Sequence, residues 1–156
     1  MSTWHAFRHE APDLSAGVQA RFEANTHHVL ATLRADGSPR LSGTEVKLVE
    51  DDLWLGSMPD ARKALDLRRD PRCALHSNPS DAEMVEGDAK VDAIAVEVTD
   101  EPERERVMTL LSGSPGPGHV FRLDLQRVVL TTVEHDPDQL VVAAWLPGTG
   151  VTTVRR

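Results

Sequence analysis

Tyrosine is missing altogether and phenylalanine occurs only three times, a shortage that by itself excludes no function. The other shortages say more. A single cysteine, Cys73, excludes an intramolecular disulfide framework and suits a reducing compartment. Positive charge is in deficit: 17 Lys and Arg stand against 25 Asp and Glu, a net charge of −8. That argues against a nucleic-acid partner, which normally meets a basic face. No apolar run reaches the ~18 residues of a membrane-spanning helix, so no membrane association is expected. The opening MSTWHAFRHEAPDL carries acids and no apolar stretch; no secretory signal is expected, and the cytoplasm is the expected compartment. The seven histidines include His27-His28, His76 and His119, yet none falls in a metal-ligand spacing such as H-E-x-x-H, so no metal site is expected. Ser112 and Ser114 sit among glycines but form neither a nucleophile elbow nor a phosphate loop.

What is there suits a soluble, mainly β chain. With 156 residues, 40% hydrophobic and 27% charged, it is sized for one domain that buries a core without staples. The expected division of 1–156 is an N-terminal helical segment over 1–26, a core over 27–146 and a tail over 147–156. A helix is expected after Pro12, capped by Asp13, with Leu14, Val18 and Phe22 on one face. Three strands follow at 28–34, 39–49 and 52–57, separated by turns at Asp36-Gly37 and Asp51-Asp52. A helix lies between Pro59-Asp60 and Asp70-Pro71, then a strand at 72–77 and a polar loop at 78–83. A long strand over 84–98 has Gly87 as a candidate bulge. Asp100-Glu101-Pro102-Glu103 opens a helix that buries Val107, Leu110 and Leu111. After the Gly/Pro loop at 112–118, Phe121, Leu123, Leu125 and Val129 alternate onto one strand face. A last strand spans 140–146. Six or seven strands with few, unevenly placed helices predict an antiparallel barrel, closed or nearly so.

The segment 53–71 carries the chemistry. Ser57 ends a strand, and Arg62 and Lys63 enter the first turn of a helix, whose free N–H groups favour an anion. Within 61–72, five bases (Arg62, Lys63, Arg68, Arg69, Arg72) face two acids (Asp66, Asp70), inverting the sign of the chain. Lys47, on the neighbouring strand, reaches toward the same place. Each charge-assisted hydrogen bond to a phosphate contributes ~1.5–3 kcal/mol, against ~8 kcal/mol for a micromolar complex. Two readings stand together: a phosphate site, or the solvated face of an amphipathic helix. Asp60 beside the helix opposes the first. Trp54 and Trp145 read as core aromatics or as ring-stacking partners, Cys73 as buried and inert, and His119 as a surface-loop histidine or a proton shuttle.

The runs VLATLRADGSPRLSGTEVKLVEDDLWLGS and ARKALDLRRDPRCALHS, continued by VEGDAKV, resemble the pyridoxamine-phosphate-oxidase superfamily of FMN-binding split barrels. The type is that of actinobacterial flavin and deazaflavin oxidoreductases. The ATLRADGSPR hairpin, the basic pair opening a helix and the exit LRRDPR carry the resemblance, which covers about 28–98 with a weaker echo over 120–155. It implies a Greek-key split barrel and a homodimer with the cofactor in a cleft between subunits. It also implies a phosphate held by Lys47, Ser57, Arg62 and Lys63. Ala61 departs from the family pattern, which often has a hydroxyl there. At the C-terminal end it implies that Trp145 and Arg155 lie near the isoalloxazine-like ring. Val151 and Thr153 stand where true oxidases carry an arginine and a histidine, so oxidation of pyridoxamine phosphate is not expected. The cofactor implied is FMN or the deazaflavin coenzyme F420, with heme a lesser alternative.

Two classes of function follow: an FMN- or F420-dependent oxidoreductase acting on a small molecule, and a non-catalytic protein that carries flavin, F420 or heme. In the first, the cofactor carries the redox chemistry and the protein orients it, which fits the lack of an acid–base pair in the sequence. Changing Arg62 and Lys63 together to alanine is expected to weaken cofactor binding roughly tenfold or more, the worth of one charge-assisted hydrogen bond. Thermal stability should change little, and unchanged affinity in a binding titration removes the phosphate site.

Overall fold

The computed structural model describes residues 2–79 and 83–156. Among them the order is α1 (Trp4–Glu10), α2 (Pro12–Glu23), β1 (His28–Leu33), β2 (Pro39–Thr44), β3 (Val46–Val49), β4 (Asp52–Ser57), α3 (Arg62–Arg69) and β5 (Arg72–His76). Then come β6 (Asp88–Glu97), α4 (Glu101–Ser112), β7 (His119–Glu134), β8 (Gln139–Leu146) and β9 (Gly150–Arg155). Every strand pair is antiparallel. The protein is mainly β, a split barrel.

Closure follows from one residue. The pairing path runs β2-β1-β5-β6-β7-β4-β3, so β2 and β3 stand at its opposite ends. Yet only Glu45 separates them in sequence, and a single residue spans at most ~3.6 Å. The sheet must therefore curl until its edges meet. The expected strand over 39–49 is these two strands, broken at Glu45.

β7 holds the rest together. Its first residues, His119–Arg122, pair with β4, and its last, Val128–Glu134, pair with β8. Between them the register with β6 shifts: Asp92 faces Arg127 and Ala93 faces Leu125, leaving Gln126 as an extra residue. Such a bulge bends and twists the strand, letting it leave one neighbour and take another. The shift also corrects the expected alternation. Phe121, Leu123 and Leu125 are continued in the core by Val128 rather than Val129. The bulge lies here, and Gly87 instead precedes β6. With a φ of 78°, a Cβ at Gly87 would sit 2.2 Å from the Thr131 carbonyl oxygen.

Three further expectations are corrected. The tail over 147–156 contains β9, because Gly148 and Gly150 adopt φ of 71° and 84° and turn the chain back onto β8. The 1–26 segment holds two helices, the first capped by Thr3 Oγ1, which accepts from the Ala6 N–H at 3.2 Å. Asp13 lies in the first turn of α2, and its cap position is Ala11, with no side-chain hydrogen bond. The polar loop at 78–83 falls partly outside the described residues.

The helices close the core. Trp4 and Phe7 meet edge-on at 5.3 Å, and Phe7 packs on Trp145 at 4.9 Å. Trp145 is fully buried and donates its indole N–H to Glu10 Oε2 at 2.9 Å. Helix α3 is fastened by the buried carboxylate of Asp66. It accepts from Thr32 Oγ1 on β1 at 2.9 Å, Arg40 Nε on β2 at 2.6 Å and Arg69 Nη2 at 2.9 Å. Burial pushes this carboxyl up, but the bonds from Arg40, Arg69 and Thr32 outweigh burial and hold it down at about 2.

A folded-state value below the ordinary 3.8 means stabilisation that is complete above pH 4 and lost as pH falls toward 2. Asp66→Asn is therefore expected to lower unfolding free energy at pH 7 by about 2 kcal/mol. In denaturant titrations across pH, the difference from the parent should shrink between about pH 4 and pH 2. A pH-independent difference refutes this role.

Candidate functional site

One cleft of about 440 Å³ gathers three of the expected residues: Lys47, Ser57 and Lys63. Its walls are the end of β2, β3 and β4, the first turn of α3, and the end of α4 with the loop after it. Barrel closure at Glu45 brings Gly43 and Lys47 to the same opening, and the Asp66 anchor presents Lys63 to it.

Neither lysine is ion-paired to a carboxylate among the described residues; each donates to a backbone carbonyl. Lys63 Nζ donates to Gly43 O at 2.8 Å. Lys47 Nζ donates to Leu111 O, one of the carbonyls left without a helical partner at the end of α4. Burial lowers the Lys63 pKa below the ordinary lysine value, and the charge of Glu45 opposes that shift. Ser57 is buried at the end of β4, and Trp54, with 7% exposure, lines the cleft with its N–H donated to Val49 O at 3.2 Å. The cap position of α3 is Ala61, whose side chain caps nothing.

Behind the cleft, a polar chain supports the segment that leads into α3. His119 pairs with Ser57 across β7 and β4. Its Nε2 accepts from the Asp60 N–H at 3.4 Å, which leaves Nδ1 as donor to Glu97 Oε1 at 2.8 Å. Glu97 also pairs with Arg68 Nε at 3.1 Å. His119 is thus a strand residue with a 14% exposed side chain, not a surface-loop histidine. Gly118, at φ 145°, approaches so closely that a Cβ would lie 2.5 Å from Ser57 O.

The other expected residues lie elsewhere. Arg62 is exposed on α3 and does not line the cleft. Trp145 belongs to the core. Arg155, on β9, pairs with Glu134 at 3.3 Å. Most of the basic cluster is structural: Arg68 binds Glu97, Arg69 binds Asp66 and Arg72 binds Asp70. Cys73 lies in β5, with burial pushing its thiol up to about 12. The reading of the sequence missed Glu45, Met58 and the 112–117 loop as cleft residues. The Gly/Pro-rich loop between α4 and β7 was the available signal; its last glycine, Gly118, is the one that packs on Ser57.

The family model described as pyridoxamine 5'-phosphate oxidase matches residues 14–133, a span that includes Lys47, Ser57, Arg62 and Lys63 and stops before Trp145. A comparison with curated proteins gave no match. Among solved structures, a pyridoxamine 5'-phosphate oxidase-related, FMN-binding protein from Nostoc punctiforme PCC 73102 aligns with a TM-score of 0.66 at 11% identity. The alignment covers 94% of this chain and 95% of that one. PhzG from Burkholderia lata 383, in complex with tetrahydrophenazine-1-carboxylic acid, gives 0.65 at 13% identity, covering 93% and 88%. A protein described as an F420 reductase gives 0.57 at 15% identity, covering 72% and 95%. At these identities the structures support the fold. The family match spans most of the chain, and the chain belongs to the pyridoxamine 5'-phosphate oxidase family.

Proposed function

We propose that the cleft binds the phosphate of FMN or coenzyme F420 between Lys47 and Lys63, and that the protein is an oxidoreductase acting on a small molecule. The observation that carries this is the pair of ammonium groups lining one cleft, each held among the described residues only by a backbone carbonyl. A phosphate oxygen is a better acceptor than a carbonyl for an ammonium donor, so both can turn to it without leaving a carboxylate unpaired. The Ser57 hydroxyl adds a third donor. The residues present fit the group, and Trp54 offers an apolar wall beside them.

When bound, FMN or F420 supplies hydride or electron transfer. The chain's own residues bind and orient: Lys47, Lys63 and Ser57 hold the phosphate end, while Glu97 and His119 fix the segment between Ser57 and α3. Heme fits less well, since the histidine of the cleft wall, His27, is exposed and lies 3.7 Å from Glu45. Pyridoxamine-phosphate oxidation is disfavoured by Val151 and Thr153. We further propose a homodimer whose second copy covers Met58, which is 76% exposed on the cleft wall, and Leu41, which is 73% exposed on β2.

Lys63→Met is expected to weaken binding of the accepted cofactor about tenfold, and Lys47→Met similarly, by loss of one charge-assisted bond each. Arg62→Ala should leave affinity within about twofold, assigning the effect of the basic pair to Lys63. Calorimetric titration checks both. Equal affinity in the parent and in the double Lys47→Met, Lys63→Met variant contradicts the site. Turnover of reduced cofactor with an added electron acceptor separates an oxidoreductase from a carrier.

A further inference from the structure

His28, the first residue of β1, is 3% exposed and joins two other segments through its two ring nitrogens. On one side the Phe22 carbonyl, left free in the last turn of α2, lies 3.1 Å from Nε2. A carbonyl only accepts, so Nε2 carries the proton. On the other side the backbone N–H of Asn78 points at Nδ1 at 3.1 Å. An N–H only donates, so Nδ1 is bare. The neutral Nε2–H tautomer is thereby fixed from both ends. Phe22 also packs its ring edge-on against the imidazole, with centroids 5.0 Å apart.

Asn78 lies just beyond the end of β5. Ser77, between them, is pinned to β6: its N–H donates to Ala89 O at 2.8 Å, and its Oγ accepts from the Ala89 N–H at 3.0 Å. Among the described residues the Asn78 N–H is given to His28 alone.

The charged and titratable groups around the ring do not replace that bond. His27 precedes it and faces Glu45 at 3.7 Å, on the side of β2, where Thr44 is the register partner of His28. Arg21 on α2 pairs with Glu86 at 3.4 Å. At the end of β5, His76 donates Nδ1–H to Ser77 O at 2.6 Å, and its Nε2 lies 3.9 Å from Asp88. Both of those contacts suit an imidazolium, whereas His28 is an acceptor. Among the described residues no carboxylate touches the His28 ring. Burial lowers its pKa below the ordinary 6.5; the carbonyls of Phe22 and Asn25 oppose that shift and the charge of His27 adds to it.

A second proton on the ring sets Nδ1–H against the Asn78 N–H, donor against donor, while Nε2–H keeps its bond to Phe22. We propose that His28 is a pH-operated latch, whose protonation frees the Asn78 backbone and opens the connection leaving β5 while the ring stays fastened to α2. The latch is independent of what the cleft binds. The closed ring binds a proton less readily than an unfolded histidine does. Its contribution to stability is therefore complete above pH 6.5 and is lost progressively as pH falls below that value.

The test is an NMR titration of the full-length protein from about pH 7.5 to about pH 4.5, reading the His28 ring nitrogens and the Asn78 amide together. At neutral pH the Nε2–H tautomer is expected. On acidification the Asn78 amide should shift with the same midpoint as the His28 ring, below 6.5, while the nuclear Overhauser contact between the Phe22 and His28 rings persists. His28→Asn offers a non-titrating acceptor near the Nδ1 position and should abolish the Asn78 shift. An Nδ1–H tautomer at neutral pH, a ring that never titrates in this range, an Asn78 amide that holds still while the ring titrates, or loss of the Phe22 contact overturns the proposal. So does the same Asn78 shift in a folded His28→Asn variant; if that variant does not fold, the tautomer and the shared midpoint in the parent decide alone.

Discussion

The carboxylate of Asp66 joins α3, which brings Lys63 to the cleft, to the barrel that carries Lys47 and Ser57. Three donors from β1, β2 and α3 converge on it, and two of them are guanidinium groups. In an apolar setting an uncompensated carboxylate would cost several kcal/mol; here hydrogen bonding reverses the effect of burial and keeps it ionised. Because Arg40 lies three residues before Gly43, the same contact sets the distance between β2 and the first turn of α3. The bond from Lys63 to the Gly43 carbonyl follows from that spacing. Closure at Glu45 adds Lys47 to the same opening. Two constraints of the fold thus bring two lysines to one opening in a chain whose net charge is −8.

The cationic groups divide by partner. Arg68, Arg69 and Arg72 are spent on Glu97, Asp66 and Asp70, holding α3 and its exit to β5. Among the described residues Lys47 and Lys63 are held by backbone carbonyls alone, which is why the proposed anion site is built on them. The two readings of the basic segment fall on different residues: Arg68, Arg69 and Arg72 belong to the framework, whereas the proposed phosphate site uses Lys63, with Lys47 from β3.

Much of this was legible in the sequence. Turn chemistry at Asp36-Gly37 and around Asp51 placed two hairpins, and the structure shows the corresponding φ of 83° at Gly37 and of 52° and 62° at Glu50 and Asp51. Asp100 capped its helix as its spacing with Glu103 implied, accepting from that N–H at 3.2 Å. Strand order made Lys47, Ser57 and Lys63 neighbours. Elsewhere tertiary pairing decided what local pattern did not. Alternation in β8 does not reveal which face meets the core, and the packing of Phe7 drew Trp145 inward. The break at Glu45 and the extra residue Gln126 are properties of pairing partners far apart in sequence.

The lysine-lined cleft is proposed to receive a phosphate-bearing flavin or deazaflavin. The most direct measurement is a parallel titration of the apo-protein with FMN and with F420, followed through tryptophan emission, since Trp54 lines that cleft. The expected result is saturable quenching by one of the two at roughly micromolar concentration. No response to either would contradict the claim.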